Sequence, residues 1–187
     1  MAEPKITGAM RIVDGSTDLR TLKELNTLVN TLNTRVTTLE SKSAITIGHT
    51  GRPSISISSG QEWTRVKISL NTAITKIGSN LSLSNGGVKA SKAMNVLVSG
   101  QVVHWNPSTN ANEWDCHICK NNDSTTVNIA YGHVDSNLEC HAIPPKLISL
   151  AANDILYLYV KPSCSGTFTI IGDSEDAPST CITVQEV

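Results

Sequence analysis

The chain is predicted to be mainly β, with an N-terminal parallel trimeric coiled coil followed by a C-terminal jelly-roll β-sandwich. Three observations predict it. Leu22, Leu25, Val29, Leu32, Val36 and Leu39 recur at alternating spacings of three and four in a stretch otherwise made almost wholly of Thr, Asn and charge, a seam that a helix buries best against copies of itself. From Trp63 onward, short alternations of apolar and polar residues succeed one another with no helical period between them. The stretches joining them carry Gly, Pro and Asn, which suits a sandwich or jelly roll.

Residues 1–17 hold Pro4, Gly8 and Gly15 around a short apolar stretch, Met10 to Val13, too small for a domain. They are expected to be frayed or ordered by a partner, and they form the candidate attachment peptide. Residues 18–43 are the stalk. Ser16 or Thr17 is placed to cap its helix, and Asp18 lies in the first turn, where the helix dipole favours a carboxylate. Thr21, Asn26, Thr27, Asn30, Thr31, Asn33, Thr34, Thr37 and Thr38 are mediocre helix formers, so the helix depends on packing along its one seam. Leu28, at a g position, widens the seam and favours three strands over two. Arg35 at g and Glu40 at the following e are placed to pair between parallel neighbours. An amphipathic helix lying on its own domain shares the periodicity and is the alternative.

Residues 44–62 read as a neck. Gly48, Gly51, Pro53 and a run of Ser surround Ile45, Ile47, Ile55 and Ile57, whose alternation suggests one or two short strands. Residues 63–187 are the head. Val66, Ile68 and Leu70 alternate with polar residues, as do Leu81 and Leu83, and Asn85-Gly86-Gly87 suits the positive backbone angles of a hairpin. Met94 to Trp105 follows, with Ser99-Gly100 suggesting a bulge or close approach. Further strands are expected around Trp114 to Ile118, Val127 to Tyr131, Leu147 to Leu150, Ile155 to Val160, Thr167 to Ile171 and Cys181 to Val184, with Pro144-Pro145 marking a connection.

With 15 Lys and Arg against 16 Asp and Glu, the net charge is −1 and the basic residues are scattered, so neither nucleic acid nor a membrane surface is an expected partner. Met1 to Met10 lacks the apolar centre of a signal peptide, so export by the usual route is not expected. The five cysteines, Cys116, Cys119, Cys140, Cys164 and Cys181, are an odd number, which suggests free and mostly buried thiols in a reducing compartment. The competing reading takes Cys116, His117, Cys119, Cys140 and His141 as zinc ligands. In a strand, Cys116 and Cys119 face opposite sides, so no metal and no cofactor is expected.

Asn85-Gly86-Gly87-Val88 leading into Lys92 to Val102 resembles the glycine turn and Y-x-V-S-G-Q-V strand of complement/tumour-necrosis-factor-like jelly rolls. Leu147 to Leu158 is similar to that family's L-x-x-G-D-x-I-x-L hairpin, with Val96 standing where an aromatic is usual and Asn153 where Gly precedes Asp154. This resemblance implies a compact trimer. A tether peptide, a Thr/Asn-rich coiled coil and such a head together look like a tailed-bacteriophage fibre protein, with a head (capsid) fibre preferred over a tail or baseplate receptor-binding protein. That likeness implies a homotrimer folded in the host cytoplasm and carried on the virion. It implies attachment to phage capsid or tail proteins through residues 1–17, and a head presented to host-surface or environmental glycans. The alternative with the same head is a secreted complement/necrosis-factor-like signalling ligand.

Catalysis is not expected. His49, His104, His117, His133 and His141 offer bases and Asp115 or Asp135 an orienting carboxylate, but no nucleophile elbow, phosphate loop or dinucleotide fingerprint accompanies them. The candidate loop for host cell-surface carbohydrate runs from Trp105 to Trp114, with Asn106, Asn110, Asn112 and Glu113 between two indoles. The competing reading makes both Trp residues core or interface anchors at strand ends.

Overall fold

The computed structural model describes residues 15–40, 42–61, 63–105, 112–121, 125–134, 138–172 and 180–187, and the chain divides after Ser41 into two units. Most of the attachment peptide therefore lies outside the described residues. The first unit contains helix α1 (Gly15–Glu40), 26 residues long, which spans about 39 Å at the usual rise per residue. It begins before Asp18, so Ser16 and Thr17 lie within it instead of capping it. Thr27, Thr31, Thr34 and Thr38 each donate their hydroxyl to the carbonyl four residues back, at 2.8–2.9 Å. These bonds satisfy the hydroxyls locally but add no stability to a helix.

The second unit is a sandwich of two antiparallel sheets. Its strands are β1 (Ala44–Gly48), β2 (Ser54–Ile57), β3 (Val66–Ile68), β4 (Thr72–Ile77), β5 (Leu81–Ser84), β6 (Gly87–Ala90), β7 (Met94–Trp105), β8 (Asn112–Lys120), β9 (Thr125–Val134), β10 (Leu138–Leu150), β11 (Ile155–Pro162), β12 (Gly166–Ile170) and β13 (Cys181–Glu186). One sheet runs β2-β12-β7-β13-β1-β4, with β10 also paired to β7; the other runs β5-β6-β11-β8-β9, with β3 also paired to β11. Alternation decides which side chains meet between them. Ile45, Ile47, Val96, Val98, Val102, Phe168, Ile182 and Val184 of the first sheet face Leu81, Val88, Trp114, Cys116, Ile118, Leu156, Leu158 and Val160 of the second in one buried cluster.

Residues 44–62 are not a neck. Strand β1 sits between β13 and β4, with Ile45 opposite Val184 and Ile47 opposite Ile182, and β2 extends the same sheet through β12. The isoleucine alternation marked these strands, but their partners lie more than a hundred residues away, and a local reading cannot supply such pairings. Strand β4 carries no alternation that marks it in the sequence, because its side chains are mostly exposed. Pro144 and Pro145 form no connection: they sit in a register shift within β10, which among the described residues pairs with β7 alone. An edge strand tolerates proline because the missing donor faces no partner.

The expected hairpin forms at Asn85-Gly86, with φ of 51° and 79° between the closing pair Ser84 and Gly87. Two left-handed residues give the primed turn whose twist matches the flanking strands. Asn153 has φ 72°. Its place in the β10–β11 turn demands the left-handed region, and Asn tolerates that region better than most residues, which accounts for Asn where the resembled motif has Gly. Asp154 then ties the turn together: it accepts from Asn121 Nδ2 at 2.6 Å and from the Ala151 N–H at 2.8 Å, and it pairs with Lys120 at 3.3 Å.

Glu186 makes a second knot where the sandwich begins and ends. Its carboxylate accepts from the Ser43 N–H (3.0 Å) and Asn80 Nδ2 (3.1 Å) and pairs with Lys92 (2.9 Å), while its own N–H donates to the Ser43 carbonyl. Burial alone would raise the Glu186 pKa, but the bonds from Lys92, Asn80 and Ser43 outweigh it and hold the carboxyl below its ordinary value. A depressed carboxyl contributes stability that is present above its unfolded pKa and is lost as pH falls through the folded one. The head is therefore expected to weaken in acid below about pH 4. Glu186→Gln should remove about 2 kcal/mol at neutral pH and flatten the acid-dependent loss, as read by urea melts from pH 7 to pH 3.

Candidate functional site

Two surfaces of this chain carry apolar side chains with nothing packed on them among the described residues. The first is the helix stripe. Leu22, Leu25, Leu28, Val29, Leu32 and Val36 are all about half exposed, with Arg35 beside them on the surface. The side chains of Leu39 and Glu40 lie outside the described residues. The g-position Leu28 is as open as the a and d residues, so the stripe is wider than a two-stranded seam needs.

The second surface is the outward face of the first sheet, which the sequence reading missed. Register aligns Leu147 of β10 with Leu97 of β7, Leu97 with Gln185 of β13, Gln185 with Ala44 of β1 and Ala44 with Ile77 of β4. This row crosses five strands, about 19 Å at the usual strand spacing. Leu147, Leu97 and Ile77 along it are 61%, 37% and 65% exposed, and Ile74 lies on the same face, its Cδ1 over Gly48. The next row places Ser99, Thr183, Thr46 and Thr75 side by side, with Thr46 and Thr183 hydroxyls 3.0 Å apart. No outward position among the described residues of these five strands holds Asp, Glu, Lys or Arg; Lys76 and Lys146 occupy the opposite register, across from Ile45 and Val98. Depletion of charge around open apolar side chains is the mark of an interface core. The signal in the sequence was the apolar residue in the polar phase of each strand, Leu97 against Val96 and Val98.

The candidate carbohydrate loop fares differently. Asn106 and Asn110 lie outside the described residues. Trp105 ends β7, and Asn112 and Glu113 begin β8. Trp114 is no sugar platform: it is fully buried, stacked on His104 at 3.9 Å and edge-on to Phe168 at 4.9 Å, because its even position on β8 points between the sheets. His104 continues this layer to His141, with their Nε2 atoms 3.1 Å apart.

The thiols are free, but only Cys116 and Cys119 are buried; Cys140 is exposed, and Cys164 and Cys181 are half-buried. Cys140 is open because it lies on the outward side of edge strand β10, opposite Val103. Cys116 joins the main core, where burial, then Asp115 and Cys140, push its thiol well above the ordinary range. Cys119 packs with Tyr157 and Tyr159 on the other face of β8. The two thiols thus diverge, and among the described residues no group of three or more metal-ligating side chains converges.

No protein-family model and no curated protein sequence matches the chain. Solved structures do. Murine APRIL at pH 5.0 superposes with a TM-score of 0.55 at 10% identity, covering 78% of this chain and 99% of that one. Murine APRIL at pH 8.0 gives 0.54 at 11%, covering 78% and 99%. The Eiger TNF of S. frugiperda gives 0.53 at 12% identity, covering 78% and 91%. The head is a β-sandwich with a tumour-necrosis-factor-like jelly-roll fold.

Proposed function

We propose that the protein is a non-enzymatic homotrimer in which the helices form a coiled-coil stalk, the heads pack through the uncharged sheet face, and three copies of a binding surface are presented together. One observation carries this reading: two units of the same chain each leave an apolar surface open among the described residues, which self-association would cover. Three linked copies raise weak single-site affinity through local concentration. Light scattering at micromolar concentration tests it. Three times the chain mass of 20.0 kDa is expected; a single-chain mass would overturn it.

Within that plan the favoured identity is a virion fibre. A Thr-rich stalk whose hydroxyls bond internally, an exposed Cys140 and an odd thiol count suit a chain folded in a reducing cytoplasm and carried on a particle. The second reading, a secreted signalling ligand, is favoured by the fold likeness to APRIL and Eiger. Antibody labelling separates them: label on particles released by lysis supports the fibre, and label confined to free trimers in the medium supports the ligand.

A further inference from the structure

We infer that the outward face of the second sheet binds an acidic polysaccharide, with Arg65, Lys67, Lys89 and Lys161 holding its anionic groups, Trp63 lying against a sugar ring and Asp115 accepting from its hydroxyls. The inference rests on the reading of the head as the binding element. Strand register collects these residues. Along β11, Tyr157, Tyr159 and Lys161 point outward; Lys67 of β3 lies opposite Tyr159, Lys89 of β6 opposite Ile155, and Asp115 of β8 opposite Lys161. Arg65 reaches the same face, its Nη1 3.9 Å from Cys119 Sγ. Among the described side chains of this face, four cations thus stand with one carboxylate, Asp115, in a chain whose net charge is −1. They come from three separate stretches of the chain, 65–67, 89 and 161, which is why the basic residues read as scattered. Among its described residues the first sheet's outward face holds no charge, so the segregation is between faces, and two copies of this positive face would repel each other.

The cations are pre-positioned. Lys67 Nζ stands 3.8 Å over the Tyr157 ring and donates to the Asn85 carbonyl at 2.8 Å. Lys161 Nζ lies 5.1 Å from the Trp63 ring and 4.0 Å from Asp115 Oδ2. Trp63 itself has φ 63°, an outlier for a bulky residue, held by its N–H donating to the Pro162 carbonyl at 2.7 Å. Yet its indole is 42% exposed, so core packing does not explain why the strain is kept, and retained strain of this kind clusters at binding sites. From Lys89 to Lys161 the face runs about 20 Å along β11. A nucleic acid fits it less well. Tyr157 and Tyr159 are buried, so among the described side chains no row of open rings stacks on bases, and Asp115 repels a phosphate chain. A polysaccharide offers carboxylates or sulfates to the cations, hydroxyls to Asp115 and an apolar ring face to Trp63.

The test uses the full chain in calorimetric titrations with polygalacturonate, dextran sulfate, neutral dextran and oligothymidylate. Binding to at least one of the two acidic polysaccharides, weakened by added salt, is expected. Lys89→Gln combined with Lys161→Gln should weaken it about tenfold or more without lowering the melting temperature. Trp63→Gly should weaken binding while preserving or raising thermal stability, because Gly relieves the left-handed strain; a merely structural tryptophan would lose stability instead. No binding to either acidic polymer, equal binding to neutral dextran, tighter binding to oligothymidylate, or an unchanged lysine double variant would each overturn the proposal. The mass by light scattering is read separately, so loss of the polysaccharide site leaves the trimer reading standing or falling on its own measurement.

Discussion

Leu25→Asp combined with Leu32→Asp is expected to separate the stalk and to abolish most of its helical signal. Both leucines are about half exposed in the single chain, so covering them in an assembly gains roughly 1 kcal/mol apiece per subunit. The substitution does more than remove that gain. It places six carboxylates along one seam of a trimer, and each carries a desolvation cost of several kcal/mol with no cation facing it. Left alone, a helix this rich in Thr and Asn is poorly supported, since its hydroxyl bonds to carbonyls four residues back do not stabilise it and most helical stability in proteins comes from packing an apolar face. Circular dichroism and light scattering on the same sample read both consequences. Thr27→Asp, on the side of the helix away from the seam, should change neither. A double variant that keeps three chains and full helicity would assign assembly wholly to the heads and leave the stripe unexplained.

What could be read from the residues alone followed the physics of locality. The helix, the hairpin at Asn85-Gly86 and the long strand from Met94 to Trp105 are specified by neighbours in sequence, and each forms where its pattern places it. The pairing of β1 with β13 is not local, so Ile45 and Ile47 were visible as strand residues while their place between Val184 and the β4 edge was not. Trp114 shows the limit for function. Two indoles flanking a polar loop look like a sugar platform until strand phase is known, and an even position on β8 turns this one into the core against His104 and Phe168. The same phase brings Lys67, Lys89 and Lys161 together from three strands and leaves the described outward positions of the other sheet uncharged, patterns that exist only after register is fixed.

Gly87→Ala is expected to destabilise the head by about 3 kcal/mol, near the upper end for overpacking a well-filled site, and to lower its melting temperature by roughly 10 °C. A Cβ at Gly87 would collide with the Leu156 carbonyl oxygen, and it would stand 2.7 Å from Tyr157 Cδ1 and 3.0 Å from Ile155 Cγ2. The tyrosine ring can swing aside; the carbonyl belongs to β11, whose other edge is fixed by β8 from Leu156 to Pro162. Relief therefore requires β6 to move away from β11, which breaks the pairs of Lys89 with Ile155 and Val88 with Leu156 and opens the core at Val88. Backbone collision and side-chain crowding are separable here. Tyr157→Leu added to Gly87→Ala should recover little, because it clears only the ring. Gly51→Ala supplies the contrast: at φ 89° with nothing within 4 Å, it meets conformational strain alone and should cost about 1 kcal/mol. Equal losses for the two alanine variants would mean that the close approach at β6 is not what Gly87 provides.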